Sequence, residues 1–269
     1  MQNQLMKFGM PTLVELPSLE DHFVLAQKLG LDFIEVNMTY PQNQSERLQV
    51  DKIACLIAKY GIELTIHLDE NLNVGDFNRE IARVYTETVL TAVDLAKKLK
   101  IPVLNMHMAE SVKISLPDRK LFLFEEYLDD YLHRLFAFRI ACEKAICNNP
   151  IKICIENLGG FKSFHQKGID LLLESPVFDL TMDIGHDYIT QHADKKFILN
   201  RANRLSHFHI HDATEKNCHL ALGQGEMDIE KDLELASQHG GCCVIEIKTV
   251  AALTESVAWL KEKKWLLNF

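Results

Sequence analysis

Eight short apolar runs alternate with helical patterns along this chain, and that alternation restricts its fold more than any other feature. The runs cover residues 7–13, 32–37, 62–67, 102–107, 151–156, 178–183, 205–210 and 242–247. Runs of this length, rich in Val, Ile, Leu and Phe, read as parallel strands buried on both faces. Helical stretches separate them. Ser18 can cap a helix that ends at Leu29-Gly30, with Asp21 three residues on. Residues 48–60 form the next helix, stopped by Gly61. Asp76 is placed to cap a long helix to Leu99, in which Ile81, Val84, Tyr85, Val89, Ala92 and Leu95 recur at helical spacing. After a loop through Pro117, Asp118 opens a helical stretch to about Cys147. A short helix at 169–174, a partly helical stretch at 192–203, a helix at 228–239 ended by Gly240-Gly241 and a last helix at 251–264 complete the series. Strict alternation of strand and helix means a parallel sheet. Eight such units in 269 residues predict one closed (β/α)8 TIM-barrel domain over residues 1–269, in preference to an open doubly wound sheet. No GxGxxG follows the first strand, so a dinucleotide site has no support.

In such a barrel the reactive groups stand at the C-terminal strand ends. ICIE delivers Glu156 there, just before the turn Asn157-Leu158-Gly159-Gly160. LTMD ends at Asp183, LSHFH at His209, CVIE at Glu246, LTIH at His67 and VLNMH at His107. Glu156, Asp183, His209 and Glu246 offer one imidazole and three carboxylates, a donor set that suits zinc or manganese. Three carboxylates packed together repel one another unless a cation joins them. Glu156 and Glu246, on strands five and eight, are expected to face each other, so that one removes and the other returns a proton beside a carbonyl. His67 and His107 lie on adjacent strands and can build a second site that shares Glu156. His186 and His219 can build a third. His209 and His211 are expected to share one side of their strand, so that either can ligate, while His207 is expected to point into the barrel wall or the helix layer. His22, His133, His165, His192 and His239 read as structural, and Cys218 as a bystander.

Composition bears on partners. Hydrophobic content of 47% and charged content of 25% are those of a globular protein with a sizeable core. A net charge of −9 argues against broad attraction to nucleic acid or anionic membrane. No run approaches the roughly 18 apolar residues of a membrane helix, and MQNQLMKFGMP has no signal-like apolar region. The seven cysteines form no CxxC pair and read as reduced thiols of a cytoplasmic protein. A small-molecule partner is expected, with no membrane; the oligomeric state is not encoded in these features. Lys113, Lys162 and Lys248 are the lysines considered for a substrate phosphate.

The motifs ENLG, MDIGH, FHIHDA followed by HLALGQG, and VIEIK, taken in that order, resemble the xylose-isomerase-like barrel superfamily, from GLDFIEVN to the last strand. That superfamily includes sugar and sugar-phosphate isomerases and epimerases and the endonuclease IV branch of DNA repair. The epimerase branch implies one divalent cation, manganese, zinc or cobalt, held by Glu156, Asp183, His209 and Glu246. It makes Glu156 and Glu246 the proton-transfer pair and puts His186 on a substrate oxygen. The endonuclease branch implies three zinc ions. One is held by the positions of His67, His107 and Glu156, one by the four-residue set, and one by His186, His219 and an aspartate two residues before His219. That last position is Asn217, and LGQG stands where the endonuclease pattern reads LGEG. Residues 210–217 contain no arginine, unlike the ketose epimerases. The leading expectation is an enzyme, a divalent-metal-dependent isomerase or epimerase of a sugar-like or sugar-phosphate-like polyhydroxy carbonyl compound. The alternatives are a zinc-dependent abasic-site endonuclease and a metal- or sugar-binding barrel without turnover. Against the endonuclease, MTYPQNQSER holds one Arg and LDENLNVGD none, whereas DNA binding needs several phosphate contacts.

Overall fold

The computed structural model describes residues 6–239 and 241–266. The strands are β1 (Lys7–Pro11), β2 (Phe33–Asn37), β3 (Glu63–His67), β4 (Val103–His107), a hairpin of β5 (Lys113–Ser115) and β6 (Lys120–Phe122), β7 (Lys152–Glu156), β8 (Phe178–Asp183), β9 (Leu205–Ile210) and β10 (Cys242–Ile245). Eight of them close into a barrel in the order β1-β10-β9-β8-β7-β4-β3-β2, with every pairing parallel. The predicted (β/α)8 barrel is therefore the fold.

The helices are α1 (Leu19–Leu29), α2 (Val50–Tyr60), α3 (Arg79–Leu99), α4 (Leu123–Glu126), α5 (Leu128–Ile146), α6 (Ser163–Leu173), α7 (Ile184–Ile189), α8 (Lys195–Leu199), α9 (Ile229–Gln238) and α10 (Val250–Glu262). Local chemistry sets several of their ends. Ser18 and Asp21 form a reciprocal capping box on α1, whose C-terminal Gly30 takes φ 79°. Gly61 closes α2 at φ 66°. None of the described helices is long and apolar enough to cross a membrane.

Three boundaries differ from the sequence reading. Asp118 does not open a helix. Pro117-Asp118 is the tip of the β5–β6 hairpin, whose Ser115 pairs with Lys120, and a Pro-Asp pair is a turn signal before it is a helix cap. The cap of α3 is Asn78, whose side chain accepts from Glu80 N; Asp76 accepts from Asn78 N instead. The helix expected at 169–174 starts earlier, as α6. The expected stop at Gly240 lies outside the described residues.

The strands are buried, but they are not apolar on both faces. Phe8, Met10, Ile34, Val36, Leu64, Ile66, Leu104, Met106, Ile153, Ile155, Leu180 and Met182 belong to the core between barrel and helices. The alternate positions turn into the barrel, and many of them are polar. Glu35, Thr65, Asn105, Glu156, Thr181, His207 and His209 are all buried there. Cross-barrel contacts fix that orientation: Glu35 on β2 meets His207 and His209 on β9, three strands away. The residues inside are therefore not the branched apolar layers usual in such a barrel. Phe33 fills the lower end, where Gly9 makes room for it; a Cβ at Gly9 would come 2.4 Å from the Phe33 ring.

His207 corrects an expectation. It is two residues from His209, so it shares its side of the strand. Its ring lies inside the barrel, with Nε2 2.9 Å from Glu35 Oε2. The shift of register between β8 and β9, beside Leu180 and Thr181, comes just before this pair.

Candidate metal centre

The upper ends of the strands bring the predicted donors together. Ligand atoms of Glu156, Asp183, His209 and Glu246 lie within 4.8 Å of one another. Glu156 and Asp183 are the last residues of β7 and β8. His209 precedes the end of β9, and Glu246 follows β10 and donates its N–H to the Ile210 carbonyl at 2.9 Å. His209 Nδ1 stands 3.0 Å from Glu156 Oε1 and 3.3 Å from Glu246 Oε2. Its Nε2 stands 2.8 Å from Glu35 Oε1. One buried ring is thus held among three carboxylates.

Both oxygens of Glu156 are engaged. Oε2 accepts from the Asn105 amide and lies 3.1 Å from His107 Nε2 and 3.4 Å from His67 Nε2. Thr181 Oγ1 donates to Asn105 Oδ1 at 2.5 Å and so turns the Asn105 amide toward Glu156. His67 Nδ1 donates to the Leu68 carbonyl at 2.8 Å, leaving Nε2 to face the centre. His67, His107 and Glu156 form a second group with mutually close ligand atoms. Glu246 differs from Glu156: Oε1 takes the Lys248 ammonium at 2.8 Å, while the buried Oε2 has no hydrogen-bond donor.

Asp183 is pinned from three directions. Its backbone exchanges two 2.9 Å hydrogen bonds with the Asn157 amide, which ties the end of β7 to the end of β8. Oδ1 accepts from His186 N at 2.7 Å. His211 Nε2 lies 3.1 Å from Oδ1 and 3.2 Å from Oδ2. The opposite nitrogen, His211 Nδ1, lies 2.9 Å from His219 N and 3.2 Å from the Asp212 carbonyl. A backbone N–H can only donate, so the closer contact makes Nδ1 the acceptor and Nε2–H the donor to Asp183. His211 therefore supports Asp183, although it also belongs to a group with His186, His219 and Glu246. His186 Nε2 in that group is buried and without a partner. His219 Nδ1 donates to the Glu246 carbonyl at 3.0 Å. Asn217 is exposed, and its backbone serves the Thr214 turn.

The electrostatics follow from this crowding. Burial alone would raise the carboxyl of Glu156, but the His209 and His107 rings beside it hold it far below the usual carboxylate range. Glu246 behaves alike, lowered chiefly by His209 against its own burial. Burial works to lower His209, yet Glu156, Glu35 and Glu246 keep it well above the usual imidazole range. His67, buried beside Glu156, rises to about 9. His219 is pushed down to about 4 by burial. Two buried atoms without an aligned hydrogen bond, His209 Nδ1 and Glu246 Oε2, lie 3.3 Å apart, where one cation would satisfy both. The one-imidazole, three-carboxylate set fits a divalent ion that accepts N and O donors.

Sequence reasoning missed Glu35, Asn105, Thr181 and the clamp by Asn157. The first three all have inward parity, Asn105 and Thr181 two residues before the strand-end donors His107 and Asp183 and Glu35 two before the end of β2 at Asn37, and that was the available signal. The histidines set aside as structural include His22, which bridges Ser18 and Leu13 backbone atoms, and His165, which meets the Ala109 carbonyl.

Residues 23–263 match the family described as xylose isomerase-like TIM barrel. No curated protein matches the chain. Among solved structures, a D-tagatose 3-epimerase-like protein superposes with a TM-score of 0.75 at 22% identity, over 96% of each chain. The 3-keto-D-glucoside 4-epimerase of E. coli gives 0.76 at 16% identity, covering 96% of this chain and 99% of its own. A D-allulose 3-epimerase from Methylomonas sp., in complex with D-allulose, gives 0.74 at 15% identity over 96% of each chain. At such identity the likeness speaks for the fold.

Proposed function

The chain belongs to the xylose isomerase-like TIM-barrel family, and from that premise we propose that it is a divalent-metal-dependent isomerase or epimerase of a small polyhydroxy carbonyl compound, a sugar or sugar phosphate. The observation that carries this reading is the convergence of Glu156 and Glu246 on His209 Nδ1, from strands three apart in the barrel. Glu156, Asp183, His209 and Glu246 would hold the cation. When bound, it supplies the positive charge that polarises a carbonyl and offsets charge developing on the adjacent carbon. Proton transfer belongs to the two glutamates. One carboxylate takes the proton from the carbon beside the carbonyl, and the other, after taking up a proton from solvent, returns it on the opposite face, the first then losing its proton to solvent. Lys248 holds Glu246 ionised through Oε1 and leaves Oε2 free to accept. Asn105 and His107 orient Glu156. His186 and His219 stand beside the centre as contacts for substrate oxygen. The sugar epimerases among the structural neighbours support the substrate class.

The test is solvent exchange. With a panel of ketoses and keto-sugars in deuterated water, the enzyme incorporates deuterium beside the carbonyl, and Glu246→Gln abolishes incorporation while some cation stays bound. Exchange that persists in that variant removes the glutamate assignment.

A multi-cation phosphodiesterase is the second reading. It is favoured by the His67–His107–Glu156 and His186–His211–His219–Glu246 groups. The exposed Asn217, in place of a carboxylate, weighs against it. Two or three zinc ions per chain with cleavage of abasic DNA would establish it; one cation per chain without cleavage supports the isomerase. One cation with neither exchange nor cleavage would leave a binding barrel.

A further inference from the structure

Directly beneath the four-residue set lies a second polar layer that the proposed chemistry does not use. It consists of Glu35 on β2, Thr65 on β3 and His207 on β9, all 3% exposed or less. We propose that Glu35 is the positioning residue of the centre: it holds His209 by Nε2 so that Nδ1 is the nitrogen presented to the cation. This rests on the reading that His209 is a ligand.

The geometry makes the case. His209 Nε2 is 2.8 Å from Glu35 Oε1. Two lone pairs cannot face each other at that distance, so Nε2 carries the proton and the Glu35 carboxylate is charged. The contact is an ion pair outside strict hydrogen-bond alignment, so charge rather than direction dominates it. Because Nε2 keeps its proton, only Nδ1 can give one up, and Nδ1 is the atom that faces Glu156 and Glu246. Glu35 is itself held from below and beside: Oε2 accepts from Thr65 Oγ1 at 3.0 Å and contacts His207 Nε2 at 2.9 Å. A carboxylate behind a ligating imidazole fixes ring orientation and raises ligand basicity, and losing it typically costs 10–100-fold in metal affinity. A bystander ion pair in the core would not need its second oxygen clamped by two further side chains.

Glu35, His207 and His209 also have mutually close ligand atoms and could be taken for a cation site of their own. The Thr65 hydroxyl donating to Oε2 argues instead for a hydrogen-bonded layer, since a donor proton and a cation compete for that oxygen.

The experiment titrates cobalt(II) into chelator-stripped full-length protein. Affinity is read by competition with a chromophoric chelator, and stoichiometry and geometry by visible absorption. His209→Ala is the control for the underlying reading. If it binds cobalt as tightly as the parent, His209 is not a ligand, whatever Glu35 does. If it loses binding, the Glu35 series decides. Glu35→Gln keeps an acceptor without the charge, and Glu35→Asp keeps the charge at a shorter reach. We expect Glu35→Gln to weaken cobalt binding by about 10–100-fold at unchanged stoichiometry, and Glu35→Asp to recover part of it. Nitrogen NMR of the zinc-loaded parent should show His209 protonated at Nε2. Unchanged cobalt affinity in Glu35→Gln, or a proton at His209 Nδ1, overturns the proposal. So does loss of one whole cobalt equivalent, which would make Glu35 a ligand. Should Glu35→Gln fail to fold, Thr65→Val, which frees one clamp on Glu35, must weaken binding in the same direction, and its failure to do so counts against the proposal equally.

Discussion

Asp212 is the residue whose replacement by Asn tests most directly how the loop beside the centre is held. Its carboxylate is 1% exposed and accepts four backbone N–H groups. Oδ1 takes Ala213 at 2.8 Å and Met227 at 3.2 Å; Oδ2 takes Gly223 at 3.0 Å and Gly225 at 2.9 Å. Asp212 and Leu220 also exchange backbone hydrogen bonds of 2.9 Å each way. The loop so gathered carries His219. It explains the glycines of LGQG: Gly223 has φ +83°, and a Cβ at Gly225 would lie 2.2 Å from Asp212 Oδ1. Asn keeps one acceptor oxygen and turns an NH2 toward two of the four donors. Two hydrogen bonds to a charged acceptor are lost, each worth about 1.5–3 kcal/mol, so the variant loses about 3–6 kcal/mol. For a chain of this size, at about 2 °C per kcal/mol, melting should fall by roughly 6–12 °C. If the loop opens by itself at lower cost, the fall is smaller and local opening takes it up. Scanning calorimetry separates the two cases by the size of the fall, and amide hydrogen exchange checks the lost contacts, because the Gly223, Gly225 and Met227 amides lose protection in both. A melting temperature within about 1 °C of the parent, with those amides still protected, would refute the reasoning.

Three further outcomes follow from the same contacts. In Gly185→Ala the added Cβ would meet His211 Cε1 at 1.9 Å; overpacking of about 1–3 kcal/mol should appear as a lower melting temperature. The double variant with His211→Ala should be no less stable than His211→Ala alone. Removal of divalent cations by chelation should lower the melting temperature, and returning manganese or cobalt at about 100 times its Kd should restore about 2.7 kcal/mol, readable by differential scanning fluorimetry. His22 and His165 are both held below the usual imidazole value of 6.5, first by burial. The folded chain therefore binds fewer protons than the unfolded one, so their contribution is fully present above about pH 6.5 and stability falls as pH drops below it; urea midpoints at pH 7.5 and 5.5 should differ less in His22→Gln than in the parent.

The barrel was legible because its evidence is periodic and repeated. Each strand needed only a short apolar run, and each of several helices announced a stop at a glycine, as at Gly30 and Gly61, where a left-handed cap is cheapest for a residue without Cβ. What failed was local and chemical. Pro117-Asp118 satisfies two grammars at once, a helix start and a hairpin tip, and only the pairing of Ser115 with Lys120 decides between them. Ser175, which serves a neighbouring turn through its side chain, left no periodic trace at all.

The centre was half legible for a related reason. A donor at a strand end can be read from one strand alone, since the rim is where a run stops; Glu156, Asp183, His67 and His107 all end their strands in the structure. Glu35 lies in the middle of β2, and its meaning comes from β9, where His207 and His209 arrive 172 and 174 residues later in the chain. Period-two alternation states that Glu35 faces inward but cannot name what it faces, because that depends on which strands oppose each other once the barrel closes. The same limit applies to His211. Parity puts it on the side of His209, and a histidine there reads as a ligand. Only the N–H of His219, delivered by a loop that Asp212 gathers, occupies its Nδ1 and turns its Nε2–H to Asp183. Donors that end strands are therefore readable singly, whereas the residues that aim them are defined by pairs. An inward polar residue two positions below a rim donor, such as Thr65, Asn105 or Thr181, or two positions below a strand end, as Glu35 is, is the sequence signal to look for in a barrel of this kind.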